Sequence, residues 1–193
     1  MSAETSGPIE PLQTALTLVI AALDRRTLRY ALIGGLATGF RSRPRFTKDV
    51  DLILDVPQVA LPALLDDLHA AGFTFDTMEV IRDFTQHHLA VLWYDRVRID
   101  WLKPVLPAYR HVIDTATEES GVGPTIRVAT AEGLILLKLL AFRLQDQTDI
   151  EALVAANWDT LDADWIKSEW QAIYPLDDPR MGWLINEMAR ASP

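Results

Sequence analysis

The sequence predicts a sheet flanked by helices, α/β or α+β, followed by a helical C-terminal region. Three observations predict it. Arg29–Ile33, Asp49–Val56 and Phe84–Leu102 carry strand patterns. Segments with apolar residues at helical spacing lie between them. From Thr130 to Ala191 the chain reads as helical, with Trp158, Trp165, Trp170 and Trp183 spread along it.

Each element has its own signal. Residues 1–8 are polar and read as disordered. Pro11 suits a helix first turn, and Leu12, Leu16, Val19, Ile20 and Leu23 carry that helix to about Arg26. Arg29–Ile33 is a short strand ended by Gly34-Gly35. Leu36–Phe40 follows as a short helix and Arg41–Lys48 as a loop. From Asp49 to Val56, Val50, Leu52, Leu54 and Val56 alternate with Asp49, Asp51, Ile53 and Asp55, which is a strand. Pro57–Ala71 is a helix stopped by Gly72. Phe84–Trp93 and Arg96–Leu102 form a hairpin about a tight turn at Tyr94-Asp95. Pro107–Thr117 is a helix, Gly121–Pro124 a turn and Thr125–Val128 a strand. Thr130 caps a helix to about Leu144, and Asp146–Ala156 forms the next.

The 193 residues, 49% hydrophobic, suit one ordinary globular domain with a helical appendage. Cysteine is absent, which excludes disulfides and thiolate metal sites. Without a long apolar run or a signal-peptide core in Met1–Pro8, the expectation is a soluble cytoplasmic protein with no membrane partner. The net charge of −9 argues against a general nucleic-acid-binding surface. The charge is uneven, however. Asp24–Lys48 sums to +6 and the rest to −15. Either the arginines of this segment pair with acids elsewhere, or Arg41, Arg43, Arg45 and Lys48 form a cationic wall for a polyanion.

That basic segment runs straight into Asp49-Val50-Asp51. Alternate strand residues share a face and rise roughly 3.3 Å each, so the two α-carbons lie about 6.6 Å apart. Two carboxylates held so close repel unless a cation or hydrogen bonds compensate them. They show either an edge strand's acids to water or a divalent-metal site. Asp100, in "VRIDWLK", is a third strand carboxylate with Val97, Ile99 and Trp101 on the opposite face. Carboxylate groups of this kind suit hard cations. Gly34-Gly35, between strand and helix, lets a ligand approach the backbone. Lys138 stands alone among Leu134–Leu140 and must snorkel to water or meet a negative partner. Asp146 and Asp149 share a helix face, where the plain reading is an exposed helix start. His87 and His88 point to opposite faces of a strand, with His87 on the Asp100 face. The four tryptophans read as helix-packing core.

Gly-Gly, then Arg-x-Thr-x-Asp-x-Asp from Arg45 to Asp51, then a strand aspartate, then a helix lysine followed by Asp-x-x-Asp, resembles the DNA polymerase β-like nucleotidyltransferase superfamily. Within it the chain is most similar to AbiEii-type nucleotidyltransferases, which include toxins of toxin–antitoxin pairs. The matching stretches are "YALIGGLATGFRSRPRFTKDVDLIL", "VRIDWL" and "VATAEGLILLKLLAFRLQDQTDIEAL". The resemblance implies an α+β fold with a mixed sheet flanked by helices. Residues 9–129 would form the core, and 130–193 a helical region packed on it. Gly34 and Gly35 would hold a triphosphate, with Arg45 and Thr47 in the nucleotide site. Asp49, Asp51 and Asp100 would bind Mg²⁺ or Mn²⁺, and Asp100 would help activate the acceptor hydroxyl. Lys138, with those aspartates in the catalytic set, would contact nucleotide phosphates, and Asp146 or Asp149 would match the last acidic motif.

The implied reaction moves NMP from an NTP to an acceptor hydroxyl and releases pyrophosphate. The acceptor would be RNA, tRNA included, a protein or a small molecule such as an antibiotic. An antitoxin would be the partner of a toxin member. The alternative is a non-catalytic nucleotide- or partner-binding protein on the same fold. Two departures stand out. Gly35 occupies a place where relatives often carry Ser. The thirteen residues between Gly35 and Asp49 make a long connection.

Overall fold

A computed structural model describes residues 9–120 and 124–191. The segment 1–8 and the glycines of the 121–124 turn lie outside the described residues. Strand β1 (Arg29–Ile33) pairs antiparallel with β2 (Asp49–Asp55). Strand β3 (Leu89–Tyr94) pairs antiparallel with β4 (Val97–Leu102), which runs parallel to β2. Strand β5 (Thr117–Glu119) pairs with β6 (Ile126–Val128), which runs parallel to β1. Among the described residues the sheet order is β3-β4-β2-β1-β6-β5. The mixed directions and the clustering of helices make the fold α+β, as the sequence predicts.

The helices are α1 (Ile9–Arg25), α2 (Gly34–Arg41), α3 (Leu61–Ala70), α4 (Thr77–Arg82), α5 (Pro107–Thr115), α6 (Ala131–Ala141), α7 (Leu144–Asn157), α8 (Ala163–Gln171) and α9 (Pro179–Ala191). The period-2 pattern of β2 and β4 fixes which face is core. Val50, Leu52, Leu54, Ile99 and Trp101 are fully buried on one face. The other face carries Asp49, Asp51, Arg98 and Asp100, only partly covered. Thr130 caps α6 by accepting from the Gly133 N–H. Phe142 then takes a left-handed conformation, φ 49°, and its N–H meets the Lys138 carbonyl at 2.7 Å. The chain turns back there, and α7 packs along α6.

Several expectations change. Residues 84–87, expected to begin a strand, continue a helical segment that starts at Thr77. Asp76 caps α4, and a π-helical turn follows over Asp83–His87. His88, at φ 63°, then starts the chain into β3. His87 therefore sits in the turn and not on a strand, and Asp100 pairs with Val91. The hairpin turn lies one residue later than expected, because Tyr94 pairs with Val97 and Asp95 takes φ 52°. Among the tryptophans, Trp170 is fully buried but Trp158 is half exposed. Arg41 is no part of a cationic wall. Its guanidinium bonds Glu119 at 2.5 Å, Thr117 at 2.6 Å and the Ala129 carbonyl at 2.9 Å, pinning α2 to β5 and β6. Arg26 is likewise taken by Asp67 at 2.7 Å.

Candidate active site

The β1–β2 register sets Ile33 opposite Asp51, so the strand end and Gly34 arrive beside that carboxylate. The parallel β2–β4 register sets Asp51 opposite Asp100 and Asp49 opposite Arg98. Neighbouring strands lie about 4.8 Å apart. Asp49, Asp51 and Asp100 therefore stand on one face, at three corners of a small quadrilateral whose fourth corner is Arg98. Gly34 is required here. Its φ is 67°, and a Cβ would lie 2.0 Å from Asp51 Oδ2. A Cβ on Gly35 would lie 2.9 Å from Arg45 Nη2 and 3.0 Å from Thr47 Oγ1. The Thr47 hydroxyl thus stands close to where a serine side chain at position 35 would begin.

A second group comes from α6 and α7. Lys138 does not snorkel. It is buried, with Nζ 2.6 Å from Asp149 Oδ2 and 3.8 Å from Asp146 Oδ1. Asp146 and Asp149 are not an exposed helix start either, because both are buried. Asp149 also accepts from Arg45 Nη2 at 2.9 Å and Gln145 Nε2 at 3.0 Å. Asp146 accepts from Arg143, Nε at 2.7 Å and backbone N–H at 3.1 Å.

The two groups differ electrostatically. Burial, then the charges of Asp100 and Asp49, push the Asp51 carboxyl up to about 6, against the pull of the Gly35 N–H and Lys138. Burial also raises Asp100; its Arg98 partner opposes that and Asp49 adds to it. Burial alone would raise Asp149, but the Lys138 hydrogen bond and charge, with Gln145 and Arg45, hold it below the usual carboxylate range.

One cavity of about 580 Å³ gathers Gly34, Gly35, Arg45, Thr47, Asp49, Asp51, Asp100, Lys138, Asp146 and Asp149. Arg98, Arg143 and Gln145 share its wall, and the sequence reading missed them. Their signals were positional: Arg98 stands two residues before Asp100 on its strand, and Gln145 one helical turn before Asp149. An adjoining cavity of about 310 Å³ shares Gly34, Asp51, Lys138 and Asp146 and adds apolar walls from Tyr109, Leu134, Leu137 and Leu140. Among the described residues, no three His, Asp or Glu side chains stand close enough to form a ready-made metal cage. The donor chemistry nonetheless suits a hard dication: Asp49 and Asp51 on β2 and Asp100 on β4 share one face, and the charges of Asp100 and Asp49 both act on Asp51.

A strand–Gly-Gly–helix turn thus stands beside aspartates on two neighbouring parallel strands. The family model for "Nucleotidyl transferase AbiEii toxin, Type IV TA system" matches residues 19–173, and the chain belongs to that nucleotidyltransferase family. No curated protein matches. Solved structures share the fold. An antigenic nucleotidyltransferase-like protein from Paracoccidioides brasiliensis aligns at a TM-score of 0.58 and 18% identity, covering 95% of this chain and 89% of that one. ANT(2")-Ia, in complex with adenylyl-2"-tobramycin, aligns at 0.55 and 16% identity, covering 83% and 95%. JHP933 from Helicobacter pylori aligns at 0.50 and 13% identity, covering 99% and 92%.

Proposed function

We propose that this nucleotidyltransferase is metal-dependent and transfers NMP from an NTP to an acceptor hydroxyl, releasing pyrophosphate. The observation that carries the reading is the gathering of Asp49, Asp51 and Asp100 on one sheet face beside the Gly34 turn. Those three carboxylates would hold Mg²⁺ or Mn²⁺, which when bound neutralises charge on the transferring phosphoryl group. Gly34 and Gly35 open the backbone at the start of α2 to the triphosphate. Arg45, Thr47 and Lys138 line the same cavity and orient the phosphates. Asp100 helps to take the proton of the acceptor hydroxyl. Asp146 and Asp149 hold Lys138 in place from beneath the nucleotide site.

In this reading residues 9–129 supply the catalytic face, and 130–193 supply Lys138 and its acidic supports. The acceptor is RNA, tRNA included, a protein or a small molecule. Family membership favours a toxin with an antitoxin partner. No described helix is long and apolar enough to cross a membrane. The test is transfer of label from each α-³²P NTP to total RNA and total protein, with wild type and Asp51→Ala side by side. Label that depends on Asp51 supports transfer and identifies the acceptor class. Nucleotide binding without transfer to RNA, protein or small molecules would favour the non-catalytic alternative.

A further inference from the structure

We propose that Arg98 is a resident counter-ion of the aspartate cluster, held on Asp100 until a divalent ion displaces it, and that it thereby sets the site's metal affinity. The inference rests on the metal-dependent reading above.

The geometry comes from the register. Arg98 is two residues before Asp100 on β4 and directly opposite Asp49 on β2. It therefore shares the face of all three aspartates. Its Nε donates to Asp100 Oδ1 at 2.8 Å. The neighbouring residues Val97 and Ile99 are buried on the opposite face, so packing does not require an arginine at this place. An arginine on an open strand face ordinarily extends to water. This one lines the cavity and closes on a carboxylate.

The exchange also has a path. The Arg98 side chain is 41% exposed and the Asp100 side chain 21%. The guanidinium can leave toward solvent, and one half-exposed ion pair contributes little to stability. The Lys138–Asp149 pair has no such exit, at 8% and 3%. Asp100 is thus, unlike Asp149, a carboxylate of the cavity whose cation has a way out. Arg98 and a divalent ion draw on the same negative charge, so their occupancies oppose each other. Arg98 guards a repulsive cluster in the free protein, and the metal must outcompete it.

The experiment is Mn²⁺ binding to the full chain, followed by the EPR signal of free aqua Mn²⁺, for wild type, Arg98→Gln, Arg98→Lys and Asp51→Asn. Removing the competitor should tighten Mn²⁺ about fivefold in Arg98→Gln, the scale of one half-exposed ion pair. Arg98→Lys keeps the charge and should fall between the two. Asp51→Asn should lose measurable binding. If Arg98→Gln binds Mn²⁺ equally or more weakly while wild type binds and Asp51→Asn does not, Arg98 is no competitor and the metal site stands without it. If neither wild type nor Arg98→Gln binds Mn²⁺, the metal-dependent reading fails and this inference with it. Should Arg98→Gln not fold, Arg98→Lys decides: affinity no tighter than wild type overturns the proposal.

Discussion

The cavity contains two groups of acids with opposite fates. Asp49, Asp51 and Asp100 face an open sheet surface, and only Arg98 among the described residues gives them an ion pair. Asp146 and Asp149 are buried under Lys138, Arg143, Arg45 and Gln145. In the first group, burial and then neighbouring carboxylates raise Asp51, and burial raises Asp100; in the second, Asp149 is held low. The difference teaches how to separate a cation site from a scaffold. Where the chain supplies its own cations in buried contact, the acids are support. Where it leaves acids under-compensated at a cleft, they mark a candidate functional site.

The sharpest way to break the comparison is Lys138→Ala. Read from sequence, this change removes a phosphate contact and leaves the fold intact. The structure adds a cost to the fold, because the change takes a buried cation from two buried carboxylates and leaves Asp149 only Arg45 and Gln145, and Asp146 only Arg143. The expected loss is about 3 kcal/mol of stability, measured by denaturant unfolding. Asp100→Asn, in the open group, should leave stability nearly unchanged while abolishing transfer. Equal stability losses in the two variants would erase the distinction.

Gly34→Ala comes next. The new Cβ would overlap Asp51, and an alanine at φ 67° adds strain. The expected cost is about 1–3 kcal/mol, together with loss of transfer. A thermally unchanged, active Gly34→Ala would show that the Asp51 carboxylate moves freely.

The open group also predicts a pH dependence. The Asp51 carboxyl titrates near 6 in the folded chain, against an ordinary 3.8. A pKa raised on folding gives stability that is present below 3.8 and lost as pH rises to about 6. Relative to Asp51→Asn, wild type without divalent ion should therefore lose melting temperature between pH 4 and 6 and then level off. The scale is on the order of 1–2 kcal/mol. Millimolar Mn²⁺ at pH 7 should restore it. A wild-type curve parallel to Asp51→Asn across this range would contradict the under-compensated cluster.

Much of the open group was legible in the sequence, because period-2 alternation fixes a strand's faces and Gly-Gly marks a turn. The closed group was less so. The Lys138 dilemma depended on a partner eleven residues later, across the left-handed Phe142, and a non-glycine residue gives no warning of such a turn. The same blindness misplaced residues 84–88, where Phe84 and Thr85 look strand-like but lie in a π turn ended by left-handed His88. Arg98 was visible but unremarked, since an arginine on an open strand is ordinary until its register partner is known. Strand β5, three residues long, is too short to show a period.

Arg45 gives the smallest expected effect on stability and the finest test, because it belongs to both groups. It donates to Asp149 at 2.9 Å and stands beside Gly35, where a triphosphate would lie. Its side chain is one-third exposed. Asp149 would keep Lys138 and Gln145 if Arg45 were removed, so Arg45→Gln should cost under about 1 kcal/mol of stability. If the guanidinium also meets nucleotide phosphate, the Kd for a non-transferable NTP analogue should rise about fivefold to tenfold, the scale of one charge-assisted hydrogen bond. A weakened Kd with an unchanged melting temperature would make Arg45 a cation that the scaffold lends to the nucleotide. A fall in stability as large as that of Lys138→Ala, with Kd unchanged, would place it wholly in the scaffold. The boundary between the two groups would then run between Arg45 and Gly35.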